Sequence, residues 1–204
     1  MKLFTTPLSP YARIARVAAI EAGLTARIDE IQVVNRSPDS PLLAYSPVCR
    51  VPTLVDGDLV LGEARNICAY FDRLSGEARC FPEGQAADWQ ALGVESMVIG
   101  FLDGVAVWNR ELRREPAAQS GFLLKVEDQR ARRCLDHLEP LCPAEPAAWP
   151  WDFTRIALAA TLGILDHGLP ELDWRQAHPR LAAWFEAVQT RPSMQATQPP
   201  APQG

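Results

Sequence analysis

The 204-residue chain has no long run of basic residues, and its formal net charge at neutral pH is −5. Proteins that bind nucleic acid need a basic surface against the phosphates, so the composition argues against such a partner. No apolar run approaches the roughly 20 residues of a membrane-spanning helix. The first residues, MKLFTTP, contain no apolar signal-peptide segment. We therefore expect a cytoplasmic protein that binds neither nucleic acid nor a membrane.

Metal-binding patterns are also missing. The five cysteines, at positions 49, 68, 80, 134 and 142, form no C-x-x-C pair, and the three histidines are scattered. We therefore expect no metal site and no permanently bound cofactor. Hydrophobic residues make up 48% of the chain, which is typical of a globular protein with a substantial core.

The stretch from Arg50 to Leu61 predicts two apolar strands joined by a tight turn at Asp56-Gly57. Pro52 opens the first strand, where one interpretation is an edge strand that tolerates the missing N–H. Proline also forms cis peptide bonds at low cost. A cis bond after Val51 would turn the backbone of that residue outward to pair with a bound peptide, and these residues alone leave both interpretations open.

The first 76 residues predict the order β-α-β-(α)-β-β-α around this hairpin. Strands are expected at residues 2–5 and 27–34, and residues 35–47 should be loop with a short helix at most. Ser9 caps a helix that opens with Pro10 and stops at Gly23, and a further helix runs from Glu63 to Gly76. Strands joined through helices should pair in parallel, which predicts a thioredoxin-like α/β domain over residues 1–78.

The pattern then becomes entirely helical, which predicts an all-α helical-bundle domain over residues 85–196 and a proline-rich tail over 197–204. The expected helices cover 86–114, 121–141 and 153–167, with a final helix after His178-Pro179. On the first of these, one face carries Trp89, Leu92, Ser96 and Ile99. From Pro192 onward the chain is expected to be extended or disordered.

Several motifs, in this order, resemble the glutathione transferase family. Ser9 to Arg13 (SPYAR) is similar to its entry motif Ser/Cys-Pro-aromatic-x-Arg, and Ser46 to Leu54 (SPVCRVPTL) is similar to its N-P-x-G-K-V-P-x-L segment. Glu63-Ala64 stands where the family has Glu/Asp-Ser, and residues 178–184 and 191–193 resemble its closing helix. The resemblance runs from Met1 to about Pro200. It implies the glutathione transferase fold, the bacterial soluble type with a serine at the entry position, and a cis bond before Pro52.

The resemblance implies a detoxifying homodimer that uses glutathione as co-substrate and joins its thiolate to an apolar electrophile. Ser9 would be the catalytic residue, donating its hydroxyl hydrogen to the sulfur at a helix N-terminus. The residues alone favour a plain helix cap at Ser9, and the two roles would compete for one hydroxyl. The dimer would pack the third and fourth helices, those predicted from Glu63 and from residue 86, against their copies.

The resemblance also assigns the residues that hold glutathione. Arg50 would bind its glycyl carboxylate, Val51 before Pro52 its cysteinyl backbone, Glu63 its ammonium group, and the Ala64 N–H its α-carboxylate. From the residues alone, Arg50 could equally be a solvated loop charge and Glu63 a helix-capping acid.

The acceptor pocket is less defined. Candidates are Tyr11, Asp103, Val107 and Trp108, although such stripes also suit a core, and Asp103 could instead reach the partner's glutathione. A second interpretation is a glutathione-dependent disulfide or peroxide reductase, against which the lack of cysteine at position 9 argues.

Departures from the family pattern bear on these interpretations. Ala64 lacks the usual serine hydroxyl, which should weaken glutathione binding and is the only hint of a non-catalytic interaction module. Cys49 replaces a glycine and is either a small loop residue or a thiol that forms a mixed disulfide with glutathione. Arg155 stands where the family has Asp, so the cap made by Asp152 should lose its reciprocal half.

Overall fold

Strand β1 (Lys2–Thr5) lies inside a four-stranded sheet of order β2-β1-β3-β4 in the computed structural model, which describes residues 1–34, 36–82 and 88–200. The other strands are β2 (Asp29–Gln32), β3 (Thr53–Asp56) and β4 (Leu59–Gly62). Strand β1 pairs in parallel with β2 and antiparallel with β3. The predicted thioredoxin-like element order is confirmed, but the third strand runs antiparallel to its neighbour because a loop, not a packed crossover helix, delivers it.

The hairpin turn has the predicted chemistry. Gly57 has a φ of 59°, which a residue without a Cβ adopts at no steric cost. The edge-strand interpretation of Pro52 is wrong, because β3 is an inner strand that pairs with β1 and β4. Pro52 lies just before β3, and the peptide bond between Val51 and Pro52 is cis, as the resemblance implied.

Successive side chains of β1 point to opposite faces of the sheet, so they join two different hydrophobic clusters. Leu3 joins the large cluster formed with the helices, whereas Phe4 joins a smaller cluster with Leu42, Val51 and Val55 on the opposite face. The second cluster therefore buries the side chain of Val51 and fixes its backbone at the end of the sheet.

The helices of the described residues follow in chain order. They are α1 (Pro10–Glu21), α2 (Ala64–Ser75), α3 (Trp89–Leu112), α4 (Gly121–Leu138), α5 (Phe153–Gly168), α6 (Trp174–Ala177), α7 (Pro179–Gln189) and α8 (Pro192–Ala196). Short 3₁₀ turns cover Thr25–Arg27, where β2 was predicted to begin, and Pro41–Ala44, where a short helix was expected. Helix α6 was not predicted. The predictions for Asn35, for residues 85–87 and for the tail at 201–204 concern residues outside the described part of the chain.

Helix α3 differs most from its predicted pattern. Its cap is Asp88, its buried side carries Val98, Phe101, Leu102 and Val105, and the side chain of Trp89 is 81% exposed. The predicted face, which begins at Trp89, and the observed buried face, which begins at Val98, both have helical spacing. The sequence alone therefore does not show which of them is buried. By length and composition this helix could also cross a membrane, contrary to the expectation from the sequence. One such helix is weak evidence, because core helices of soluble proteins share these properties.

Helix α5 is buried on almost every side, as predicted, and its first turn is capped at Asp152. One carboxylate oxygen of Asp152 accepts the N–H of Arg155 at 3.0 Å, and the other accepts its guanidinium at 2.9 Å. The reciprocal side-chain contact that was expected to be lost is therefore compensated, because the Arg155 side chain forms an ion pair with Asp152.

The expectation of an extended chain from Pro192 is wrong up to Thr197. Residues 192–196 form α8, with Met194 buried against the core. The buried guanidinium of Arg13 donates to the Met194 carbonyl at 3.2 Å and to Thr197 at 3.4 Å. Burial, and then the nearby charge of Arg16, lowers the pKa of Arg13 to about 10. The last residue of the entry motif therefore anchors the C-terminal helix.

Candidate functional site

Two adjoining cavities at one end of the sheet share three wall residues, and together we call them the cleft. The first, of about 300 Å³, is lined by Ser9, and the second, of about 490 Å³, by Glu63. Tyr11, Arg50 and Val51 line both. We call the first the Ser9 lobe and the second the Glu63 lobe. Three separate sequence motifs therefore contribute to one cleft.

Ser9 is the N-cap of α1, and its hydroxyl oxygen accepts the N–H of Ala12 at 3.2 Å. A hydroxyl has two lone pairs and one hydrogen, so capping leaves the hydrogen available for another acceptor. The cap and a hydrogen bond to a thiolate are therefore compatible, and the expected competition for the hydroxyl does not arise. Pro10 at the first helical position adds no N–H that would need a partner.

Val51 presents its backbone at the point where the two lobes meet. Among the described residues, no backbone hydrogen bond of Val51 is found outside the regular elements. Its side chain is buried, so the peptide groups rather than the side chain are available to an extended ligand. Arg50, which precedes Val51 in the loop, is exposed. Its backbone carbonyl accepts a hydrogen bond from the Thr53 hydroxyl at 2.7 Å, which holds the loop against the start of β3.

Glu63 has a φ of 64° and a ψ of 129°, a conformation that a non-glycine residue seldom adopts. Such strain is concentrated at functional sites, where the surrounding structure holds it in place. Its side chain is exposed and makes no capping hydrogen bond to α2, which argues against the capping interpretation. The buried Ala64 does not itself line either lobe, but Glu63 before it and Asn66 after it line the Glu63 lobe, and the N-terminus of α2 has no side-chain cap.

The residues proposed for the acceptor pocket do not all line the same cavity. Tyr11 lines both lobes, and its hydroxyl donates to the carboxylate of Asp103 on α3. Burial, and then this hydrogen bond, raises the pKa of Tyr11 well above its ordinary value, so the phenol stays protonated. Val107 lines neither lobe, and Trp108 lines a different cavity of about 450 Å³ with Leu169.

The sequence reasoning missed the polar wall of the Ser9 lobe. Arg36, Asn109, Arg110 and Arg113 line it together with Arg50. No motif marks these residues, since they come from the loop after β2 and from the last turn of α3. The only signal was their charge, which is uninformative until the fold brings them together.

Cys49 lines neither lobe. It has a φ of 48° and packs partly buried against the small cluster that contains Val51. The structure thus gives no support to a reactive thiol at Cys49 and favours its interpretation as a small loop residue. Within residues 1–34, 36–82 and 88–200, no group of three or more His, Cys, Asp or Glu side chains could hold a metal ion.

Residues 3–79 match the family model described as the N-terminal domain of glutathione S-transferase. Over 98% of its length the chain is 34% identical to a glutathione transferase family member from Pseudomonas fluorescens Pf-5, covering 99% of that chain with a TM-score of 0.87. The chain belongs to the glutathione transferase family. That relative was solved with bound glutathione and also, at a TM-score of 0.84, with bound S-(propanoic acid)-glutathione.

Other members of the glutathione transferase family are similar over nearly the whole chain. Glutathione S-transferase 3 of Zea mays is 28% identical over 97% of this chain and 92% of its own length. The uncharacterised GST-like protein YibF of Escherichia coli strain K12 is 25% identical over 98% of this chain and 99% of its own. The family fold therefore accounts for both the sheet with its helices and the helical C-terminal region.

Proposed function

We propose that the chain binds glutathione across both lobes and joins its thiolate to a small electrophile with an apolar body. The observation that carries the proposal is that Ser9, Val51 and Glu63 line one cleft. The Pseudomonas relative, which was solved with glutathione bound, supports the same ligand for this chain.

The proposed glutathione contacts follow the cleft from one lobe to the other. Glu63 binds the ammonium group and the Ala64 N–H the α-carboxylate, at the uncapped start of α2. Val51 pairs with the cysteinyl backbone, with the cis bond before Pro52 setting the direction of its peptide groups. Arg50 has two N–H groups that suit the glycyl carboxylate.

Ser9 then acts on the sulfur. A free thiol has a pKa of about 8.5, so only a few per cent is ionised at neutral pH. The hydroxyl hydrogen of Ser9 and the N-terminus of α1 both favour the anion. A sulfur lone pair forms the C–S bond to the electrophilic carbon. In a substitution the bond from that carbon to the leaving group breaks and its electron pair departs with the leaving group; in an addition the π pair of a C=C bond moves to the neighbouring carbon, which then takes a proton.

The test is calorimetry with glutathione followed by a conjugation assay with a chloronitroaromatic acceptor. We expect saturable binding and enzyme-dependent product, both lost in a variant that replaces Glu63 by Ala. Arg73→Ala, which removes an exposed charge from α2 outside the cleft, serves as the matched control. No binding at millimolar glutathione would instead favour the interaction module that Ala64 hints at.

We also propose a homodimer. The resemblance implied that α2 and α3 pack against their copies, and exposed aromatic side chains at the starts of α3 and α4 add α4 to the proposed surface. Trp89 at the start of α3 and Phe122 at the start of α4 have exposed fractions of 81% and 79%. Large exposed aromatic side chains are typical of surfaces that bind another protein. Sedimentation at micromolar concentration should give twice the mass of the chain, and a monomer would contradict the dimer.

A further inference from the structure

Four arginines surround the Ser9 lobe. Arg36 follows β2, Arg50 precedes β3, and Arg110 and Arg113 lie at the end of α3. Arg36, Arg110 and Arg113 line only this lobe, whereas Arg50 also lines the Glu63 lobe. The three arginines therefore line the lobe that contains Ser9 and not the lobe that contains Glu63, the proposed site of the glutathione ammonium group.

These cations have little nearby negative charge. No Asp or Glu is among the described residues that line the lobe, and none of the four arginines forms a salt bridge within the described part of the chain. Of the acids on α3 near these arginines, Glu111 is paired with Arg114 at 3.6 Å, and Asp103 accepts the Tyr11 hydroxyl. A chain with a net charge of −5 thus concentrates unpaired positive charge around one cavity.

Arg36 and Arg50 line the same lobe as Arg110 and disfavour its positive charge. Burial, and next the charge of Arg36, lowers the pKa of Arg110, and Arg50 acts in the same direction. An anion in the lobe would relieve this repulsion, and a planar guanidinium can hold a carboxylate through two parallel N–H donors. The remaining wall includes Leu8, Ala106 and Ile164, which suit the carbon skeleton of a small organic acid.

We propose that the acceptor is an electrophile that carries a carboxylate, held by Arg110 and Arg113 with Arg36, while its reactive carbon faces Ser9. This inference rests on the proposed function and names the substrate class of the same cleft. It adds an anionic group to the apolar electrophile expected from the sequence. The apolar side chains would contact the carbon skeleton, and the arginines would fix its orientation.

The experiment compares the affinities of two glutathione conjugates that differ only in charge. S-(3-carboxypropyl)glutathione carries the carboxylate, and S-(3-carbamoylpropyl)glutathione is its neutral amide of nearly the same shape. Calorimetry on the wild-type protein should give a dissociation constant about tenfold lower for the carboxylate, and the preference should shrink at high salt. In the double variant R110M/R113M the ratio should fall to within about twofold of one.

The control double variant is R73M/R133M, which removes the same charge from exposed arginines on α2 and α4 that do not line the cleft. It should keep the wild-type ratio. A wild-type ratio near one, or a preference that survives R110M/R113M, overturns the inference while leaving glutathione binding intact. If R110M/R113M weakens glutathione and both conjugates equally, the arginines serve glutathione itself and the inference is again wrong. If no conjugate binds, the proposed function fails first.

Discussion

The hydroxyl of Tyr11 in the first turn of α1 donates a hydrogen bond to a carboxylate oxygen of Asp103 in the middle of α3. The two residues are 92 positions apart, so this contact joins the sheet-bearing part of the chain to its helical part beside the cleft. Because the phenol stays protonated, the Asp103 carboxylate keeps its negative charge beside Tyr11, which lines both lobes.

A double-mutant cycle should measure this contact. We expect Tyr11→Phe and Asp103→Asn each to lower the free energy of unfolding by about 1 kcal/mol, since a charged partner strengthens the bond but solvent exposure weakens it. Urea denaturation of both single variants and of Y11F/D103N supplies the coupling energy. Strictly additive losses would show that the two side chains do not interact.

Restoring the family serine at position 64 should strengthen glutathione binding. The hydroxyl of Ala64→Ser can donate to the α-carboxylate at the start of α2, and such a bond is worth about 1.5 kcal/mol, which corresponds to about tenfold in affinity. Calorimetry with glutathione measures the gain. Ala69→Ser, an exposed position on α2 that lines neither lobe, is the matched control. An unchanged affinity in A64S would place the α-carboxylate elsewhere.

The link between α1 and α8 should make stability fall in acid. Glu21 accepts two hydrogen bonds from Arg191, at 3.1 and 2.9 Å, and one from Ser193. Burial raises the pKa of Glu21, but these bonds together outweigh it, so the net pKa lies below the ordinary value. The unfolded chain therefore takes up the proton first, and the stabilisation present above pH 4.5 is lost as the pH falls through the lower folded pKa.

The measurement is the free energy of unfolding from pH 6 to pH 3 for the wild type and for Glu21→Gln. At pH 6 the variant should be less stable by about 1–2 kcal/mol, after allowance for partial exposure, and the two proteins should converge in acid. Glu77→Gln, an exposed acid after α2, should follow the wild type. A constant difference across the range would exclude Glu21 as a source of the acid sensitivity.

The elements that follow local rules could be predicted from the sequence. Strand β1 was predicted with its observed bounds, and the caps at Ser9 and Asp152 were predicted and are found. Gly57 and Gly76 have the positive φ that their positions required. Each depends on residues within about one helical turn or one hairpin, where the sequence contains all the interacting groups.

Long-range features could not be predicted in this way. Helix α8 forms because Arg13 and Glu21, over 170 positions earlier, supply its hydrogen-bond partners. The arginine wall exists only once Arg36 and Arg110 are brought together across the cleft. The family motifs pointed to Ser9, Val51 and Glu63, but they carry no information about the arginine wall, which we propose holds the acceptor.

The central claim is that Ser9 holds the sulfur of glutathione as an anion, and thiolate absorbance tests it most directly. With glutathione saturating, the absorbance is titrated against pH in the wild type, in Ser9→Ala, and in Ser9→Thr, which keeps a hydroxyl able to cap α1. The account predicts a bound thiol pKa below about 8.5 in the wild type and S9T, and about 1–2 units higher in S9A, because a hydrogen bond to a charged group is worth about 1.5–3 kcal/mol. An S9A protein that binds glutathione with an unchanged thiol pKa would contradict it.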